Sequence, residues 1–136
     1  MLKIKEEVMG KLVTIQNRER LNDVYAVDEK GNGGANHRYI IAKTTEMPFI
    51  CGDTIYGTIG DIQFQNGARK EENSIHGVLD SDLLEIVRHR MQCFQDGPYA
   101  SEYNTKALEH IELALMYLNR RVEDRIERNV LGTYNK

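Results

Sequence analysis

Two arginines and an asparagine share a predicted helical stripe with apolar residues, and these residue types suit the binding of an anion. From Ser101 to about Asn129, apolar residues recur every three or four positions, at Leu108, Ile111, Leu115, Leu118 and Val122. The same spacing continues to Arg125, with Arg121 one turn before it, and extends back to Asn104. Polar groups on a buried face need partners, and a guanidinium pairs with phosphate or stacks on a flat base. The pattern predicts a small anionic ligand at the edge of a helical interface.

Two predicted helices position these side chains. A first helix, capped by Asp80 or Ser81, ends at Asp96-Gly97-Pro98. Its apolar residues are Leu83, Leu84, Val87, Met91 and Phe94. Ser101 or Asn104 caps the longer second helix, and Gly132 closes it. Because the second helix is about twice as long as the first, an antiparallel hairpin leaves part of it uncovered, and we expect at least a homodimer.

The chain before Gly77 has a strand-like pattern. Short segments rich in Val, Ile, Tyr and Thr predict strands at Lys11–Gln16, Asp23–Asp28, Arg38–Ala42, Thr54–Thr58 and Asp61–Gln65. Asn66-Gly67 is a turn signal, and 28–36 (DEKGNGGAN) predicts a flexible loop. The expected fold is α+β, with a small antiparallel β-sheet domain over residues 1–76 and a helical hairpin over 77–136.

Composition excludes several classes of function. The 136 residues carry a net charge of −3, which argues against a general nucleic-acid or membrane-surface binder. No apolar run is long enough to span a bilayer, and the first ten residues do not form a signal peptide, so we expect an intracellular protein. Cys51 and Cys93 lack metal-site spacing, which favours two free thiols and no metal or other cofactor.

Three candidate motifs favour structural interpretations. The glycine-rich GNGGAN lacks the context of a phosphate-binding loop. Glu109 and Glu112 form an ExxE pair, but the first helix offers only Asp82 and Glu85 to face it, so a solvated surface is favoured over a metal site. His76, close to Ser74, lacks a recognisable nucleophile context. Arg120 and Arg128 fit surface salt bridges.

The helical half resembles phage-encoded Thoeris anti-defence proteins, whose hairpin is shared with anti-CBASS proteins. The resemblance rests on LLEIVRHRMQCFQDGPY (83–99), EYN (102–104), ALEHIELALMYLNRRVEDR (107–125) and LGT (131–133). Upstream, IQFQNGAR (62–69) and HGV (76–78) resemble the family form with a preceding β-sheet domain.

The resemblance implies binding without chemistry. Such proteins are sponges that sequester the cyclic ADP-ribose isomers, such as glycocyclic ADP-ribose, released by bacterial Thoeris sensors. Some members also hold CBASS cyclic trinucleotides at a separate site. The implied assembly is a homodimer of hairpins, with a hexamer as the larger alternative, in the cytoplasm of the infected host. Three questions stay open: which linkage isomer is preferred, whether a second site binds cyclic di- or trinucleotides, and whether the assembly is a dimer or a hexamer. Arg38 would contribute to such a second site.

The family motif carries ligand-binding roles onto five positions. Phe94 and Arg121 match the residues that sandwich the adenine, and Arg125 matches a phosphate contact. Asn104 matches a polar contact at the start of the second helix, and Arg69, from the sheet domain, matches an arginine that reaches the ligand. His76 departs from the asparagine common at this position, which leaves the contacts of its loop open.

Two other functions are alternatives to a sponge. An enzyme that degrades the signal would need a nucleophile, a base or a metal site, and none is recognisable in the sequence. A structural phage oligomerisation protein would explain the apolar stripe but gives no reason for Phe94, Arg121 and Arg125.

Overall fold

The computed structural model describes residues 5–136 and confirms an α+β chain with antiparallel sheets followed by two helices. The chain forms two compact units, Met1–Asn66 and Gly67–Lys136. The domain boundary suggested by the sequence, after residue 76, therefore falls inside the second unit. Both cysteines are free thiols, as expected.

The described part of the first unit is built from six short strands in two antiparallel sheets. One sheet has the order β1-β4-β5 and the other β2-β3-β6. The strands are β1 (Lys5–Glu7), β2 (Asn22–Ala26), β3 (Arg38–Lys43), β4 (Phe49–Cys51), β5 (Thr54–Tyr56) and β6 (Gly60–Gln63). In register, Tyr25 pairs with Ile40, and Ile40 pairs in turn with Asp61. The central strand β3 therefore pairs with both β2 and β6 and sets the register of the second sheet.

Alternation along the two longest strands creates the core of this unit. Ile40 and Ala42 point to the same side of β3 and are fully buried, because successive side chains of a strand face opposite ways. Tyr25 of β2 and Val8 complete the buried cluster, with three half-buried residues packed against it, Val27, Ile50 and Ile55. The core is small, and both sheets contribute to it.

The strand predicted at Lys11–Gln16 is wrong. Only Lys11 forms a bridge, to Tyr25, before the chain leaves the edge of β2. Val13 and Ile15 are fully exposed, so their alternation with polar residues reflects no buried face. The other four predicted strands correspond to β2, β3, β5 and β6 with shifted ends. The sequence did not reveal β1 or β4, because the charged Lys5–Glu7 and the uniformly apolar Phe49–Cys51 show no alternation, whereas β5 lies within the longer predicted strand Thr54–Thr58.

The predicted loop between β2 and β3 is confirmed, and a carboxylate organises it. Asp28 accepts hydrogen bonds from the backbone N–H groups of His37 and Arg38 at 3.0–3.2 Å. Burial alone would raise the pKa of Asp28, but these hydrogen bonds outweigh it and hold the pKa below its ordinary value. Gly33 and Gly34 have φ of 73° and 79°, a conformation that glycine adopts without strain.

The second unit contains the predicted antiparallel helical hairpin, with α1 (Asp80–Gln95) and α2 (Glu102–Glu127). Two contacts fix its register. Arg88 donates to Glu112 at 2.9 Å near the middle, and Gln95 donates to Thr105 at 2.7 Å beside the connecting loop. From the first pair to the second, the residue number rises by seven on α1 and falls by seven on α2. The two helices therefore run antiparallel in a constant register.

The helix ends agree only partly with the sequence reading. Ser101 caps α2 by accepting from the N–H of Asn104 at 3.1 Å, as expected. Asp80 is instead the first residue of α1, and the side chain of Asp82 accepts from the N–H of Leu79. The prediction that Gly132 closes α2 is wrong, because the helix ends at Glu127 and Asn129 takes the positive φ of 56°. Asparagine tolerates this conformation better than most residues.

Neither helix contains a fully buried residue in the single chain. The inner stripe of α2 is half-buried against α1. On the outer surfaces, Ile86 is 58% exposed, Met116 64% and Tyr117 62%. These fractions leave much apolar area in contact with water, which favours a further partner for the hairpin. In the part of the chain that the structure describes, no helix is both long and apolar enough to cross a membrane.

Candidate functional site

Phe94 and Asn104 lie together at the end of the hairpin where the loop joins its helices, and we call them the loop-end group. Phe94 is in the last turn of α1 and 39% exposed. Asn104 is half-buried at the start of α2, and its Nδ2 donates to the carbonyl of Tyr99 at 3.1 Å. This contact holds the amide beside the first turn of α2, where unpaired backbone N–H groups favour an anion.

Arg121 and Arg125 lie at the opposite, open end of the hairpin. Arg125 occupies the half-buried stripe, as predicted, and its Nη2 donates to the carbonyls of Val130 and Thr133 at 3.0 Å each. Arg121 does not lie on the half-buried stripe, which at this end of α2 runs through Leu118 and Arg125. It is exposed and, within residues 5–136, has no hydrogen bond or ion pair. Arg121 can therefore offer all of its N–H groups to a ligand, whereas Nη2 of Arg125 is already engaged within the chain.

Arg69 belongs to the second unit and not, as the sequence suggested, to the sheet domain. Its Nη2 donates to the carbonyl of Gly77 at 2.9 Å, just before α1 begins. The next residue, Lys70, donates its backbone N–H to the carbonyl of Gly132 at 3.0 Å. These contacts place Arg69 at the open end with Arg121 and Arg125, and we call these three arginines the open-end group.

The hairpin keeps the two groups apart. Arg88 and Glu112 lie level with each other, so Phe94 is displaced toward the loop and Arg121 toward the open end. At 1.5 Å of rise per residue, the two side chains are separated by about 20 Å along the hairpin. A nucleotide sandwiched between an aromatic ring and a guanidinium needs them within stacking distance. One hairpin alone therefore does not bring Phe94 and Arg121 together.

A cation that the sequence reading passed over lies beside Phe94. The Cζ of Arg90 is 5.4 Å from the centroid of the Phe94 ring, within the range of a cation–π contact. The two residues are one helical turn apart on α1. Their i, i+4 spacing is the signal that would have identified the pair.

The carboxylates of the ExxE pair are engaged within the hairpin. Glu112 accepts from Arg88 at 2.9 Å, and Glu109 lies 3.5 Å from Lys106. The hydrogen bond that Arg88 donates to Glu112 is the main cause of a raised pKa of Arg88. Among the described residues, no group of three or more His, Cys, Asp or Glu side chains is placed to hold a metal ion. Glu109 and Glu112 are thus each engaged with a cation of the hairpin.

The fold and these groups define a class of protein: an antiparallel helical hairpin with an aromatic–polar group at one end and arginines at the other. Comparison with known families also identifies a hairpin domain. Residues 58–123 match the family model described as Acb2/Tad1, hairpin domain. A protein of Bacillus phage SBSphiJ7, described as Thoeris anti-defense 1, is 36% identical over 80 residues, or 59% of this chain. Over residues 58–123 the chain is thus similar to the Acb2/Tad1 hairpin domain, and the resemblance to Thoeris anti-defence proteins is confirmed.

The matched stretch covers 56% of the Bacillus phage protein, so the chain spans little more than half the length of this relative. The family match begins at residue 58, in the last part of the sheet unit, and runs through most of α2. Phe94, Asn104, Arg69 and Arg121 lie inside it, whereas Arg125 lies two residues beyond its end.

We expect Arg125→Ala to loosen the segment after α2, because it removes the charged donor to two carbonyls. The expected cost is about 1–3 kcal/mol in the local opening free energy. Hydrogen exchange of the Val130 and Thr133 amides, both hydrogen-bonded in the structure, measures it directly. Arg120→Ala is the matched control, since Arg120 is exposed and has no polar contact in the described part of the chain. Unchanged exchange in Arg125→Ala would show that the guanidinium does not anchor this segment.

Proposed function

We propose that this protein is a phage anti-defence sponge that binds a cyclic ADP-ribose isomer of bacterial Thoeris signalling and holds it intact. The observation that carries the proposal is the presence of two unlike groups of residues at the two ends of the hairpin. The loop-end group contains Phe94 and Asn104, and the open-end group contains Arg69, Arg121 and Arg125. A stacking surface and a set of cations together suit a ligand that has both a flat base and phosphates. The match of residues 58–123 to the Acb2/Tad1 hairpin domain supports this ligand class.

In this proposal a second chain completes each site. Two hairpins packed side by side and antiparallel place the loop end of each beside the open end of the other. A two-fold axis then creates two equivalent sites, each with Phe94 and Asn104 from one chain and Arg121 from its partner. The exposed apolar residues on the outer surfaces of the helices, Ile86, Leu113, Met116 and Tyr117, supply contact area for such a homodimer. A hexamer would be an assembly of these dimers.

Each ligand group then has a chemically suitable partner. The adenine stacks between the ring of Phe94 and the guanidinium of Arg121, which has no polar partner within the described residues and is therefore available. The pyrophosphate lies near Arg125 and Arg69. Nη2 of Arg125 already donates to two backbone carbonyls, which leaves its other N–H groups for phosphate. Enclosure between two chains slows release, which is what a sponge requires.

Binding without turnover is the favoured form of this function. The acidic pair that would suit a metal-dependent hydrolase is engaged, with Glu112 on Arg88 and Glu109 near Lys106. The arginines of the open-end group bind anions but are poor proton acceptors, since a guanidinium stays protonated in proteins. The proposed host location, the infected bacterial cytoplasm, follows from where such signals are released.

The sponge proposal predicts recovery of intact ligand. Purified protein is incubated with cyclic ADP-ribose isomers, separated from free nucleotide and denatured, and the released nucleotide is identified by mass spectrometry. We expect the unchanged cyclic compound in a stoichiometric amount. Arg121→Ala should weaken binding by about 2 kcal/mol, roughly thirtyfold in Kd, without unfolding the hairpin. Linear ADP-ribose accumulating beyond the amount of protein would instead identify an enzyme.

The two-chain site predicts complementation between defective variants. Phe94→Ala and Arg121→Ala chains, each defective alone, are mixed and allowed to exchange subunits. A mixed dimer has one site with both substitutions and one site with neither, so about a quarter of all sites should recover normal affinity. Calorimetry counts the recovered sites. If mixing restores no binding while exchange is shown by differently tagged chains, the site is not shared between chains.

A further inference from the structure

We propose that Arg90 is a further ligand-binding residue of the loop-end group and pairs with an anionic group, a phosphate, of the nucleotide stacked on Phe94. This assignment rests on the proposed function and adds a residue and a charge to its site. Arg90 is not among the five positions to which the family motif assigns a ligand-binding role. Arg90 contacts Phe94, has no acidic partner within residues 5–136 and lies among apolar residues.

The first observation is the position of the guanidinium. Arg90 lies one turn before Phe94 on α1, and its Cζ is 5.4 Å from the ring centroid. Phe94 remains 39% exposed, so the contact with Arg90 leaves part of the ring available to a base. A base stacked there has its phosphate one ribose away, which is within reach of a residue one helical turn distant.

The second observation is that Arg90 has no anionic partner among the described residues. Four other arginines of the second unit donate hydrogen bonds to oxygen: Arg69 to Gly77, Arg88 to Glu112, Arg125 to two carbonyls, and Arg128 to Asp124. Arg90 forms no hydrogen bond or ion pair with any residue between 5 and 136. It shares this availability with Arg120 and Arg121, so at least one unneutralised guanidinium lies toward each end of the hairpin.

The third observation is the surface around Arg90. The residues one turn away on either side are Ile86, Val87, Cys93 and Phe94, and none carries a charge. Ile86 is 58% exposed and Val87 42%. This apolar strip is suited to contact with a second chain. Covering it would remove water from Arg90, and a desolvated cation needs an anion and hydrogen-bond acceptors nearby. A ligand phosphate supplies both, and a guanidinium can grip it with two parallel N–H donors.

The test compares three variants in full-length protein, with glycocyclic ADP-ribose and its linkage isomers as probes. Arg90→Ala should raise Kd roughly tenfold or more, because it removes a charge-assisted hydrogen bond to phosphate. Arg90→Lys should lose less, since it keeps the charge but not the planar fork. Lys30→Ala, an exposed change of equal charge in the first unit, should bind like the wild type. The salt dependence of Kd should weaken in Arg90→Ala and stay unchanged in Lys30→Ala.

Subunit mixing assigns Arg90 to its end of the hairpin. Arg90→Ala mixed with Arg121→Ala should recover binding, because the defects fall in the same site of the mixed dimer and leave the other intact. Arg90→Ala mixed with Phe94→Ala should recover none, because each site of that dimer keeps one defect.

Three results would overturn the assignment. Normal affinity of Arg90→Ala, with a wild type that binds, rejects the role of Arg90 and leaves the proposed function standing. If sedimentation shows that the Arg90→Ala dimer dissociates, the guanidinium serves the dimer instead, through an ion pair with a carboxylate of the second chain. A wild type that binds no isomer rejects the proposed function and, with it, the ligand role of Arg90.

Discussion

An antiparallel helical hairpin holds the residues of its two ends apart by the rise of its helices, and this separation is the constraint on which the site depends. The contacts of Arg88 with Glu112 and of Gln95 with Thr105 fix the register. With that register, Phe94 and Arg121 cannot meet within one hairpin of rigid helices. Every property that we propose for the site, including its enclosure and its two equivalent copies, follows from joining unlike ends of two chains.

The distribution of polar contacts separates residues that hold the fold from residues that remain available to a ligand. Arg88 crosslinks the two helices, and Arg125 fastens the segment after α2 to the end of the hairpin. Arg90 and Arg121 have no such contacts within residues 5–136. Arginines in the first group are costly to replace for structural reasons, whereas those in the second should affect binding alone. Arg125 belongs to the first group and is also a proposed ligand residue, so loss of its side chain has two consequences.

The sequence predicted the hairpin better than the sheets, for a physical reason. A long helix repeats its apolar spacing many times, so the half-buried stripe from Leu108 to Arg125 was recognisable. Strands of three residues repeat too little, and the sequence gives no sign of β1 or β4. Lys11–Gln16 has the composition of a strand, but pairing depends on tertiary contacts that its sequence does not encode. Likewise, the spacing placed both Arg121 and Arg125 on the stripe, and only the phase of the helix separates half-buried Arg125 from exposed Arg121.

Native mass spectrometry of the protein with a cyclic ADP-ribose isomer tests the shared site most directly. The spectrum resolves single chains from dimers and larger assemblies, and it reports the mass of ligand on each species. If Phe94 and Arg121 act from different chains, ligand is found on dimers, up to two per dimer, and on their multiples, and single chains formed on dilution carry none. Single chains that retain the ligand with the affinity of the dimer would contradict the account.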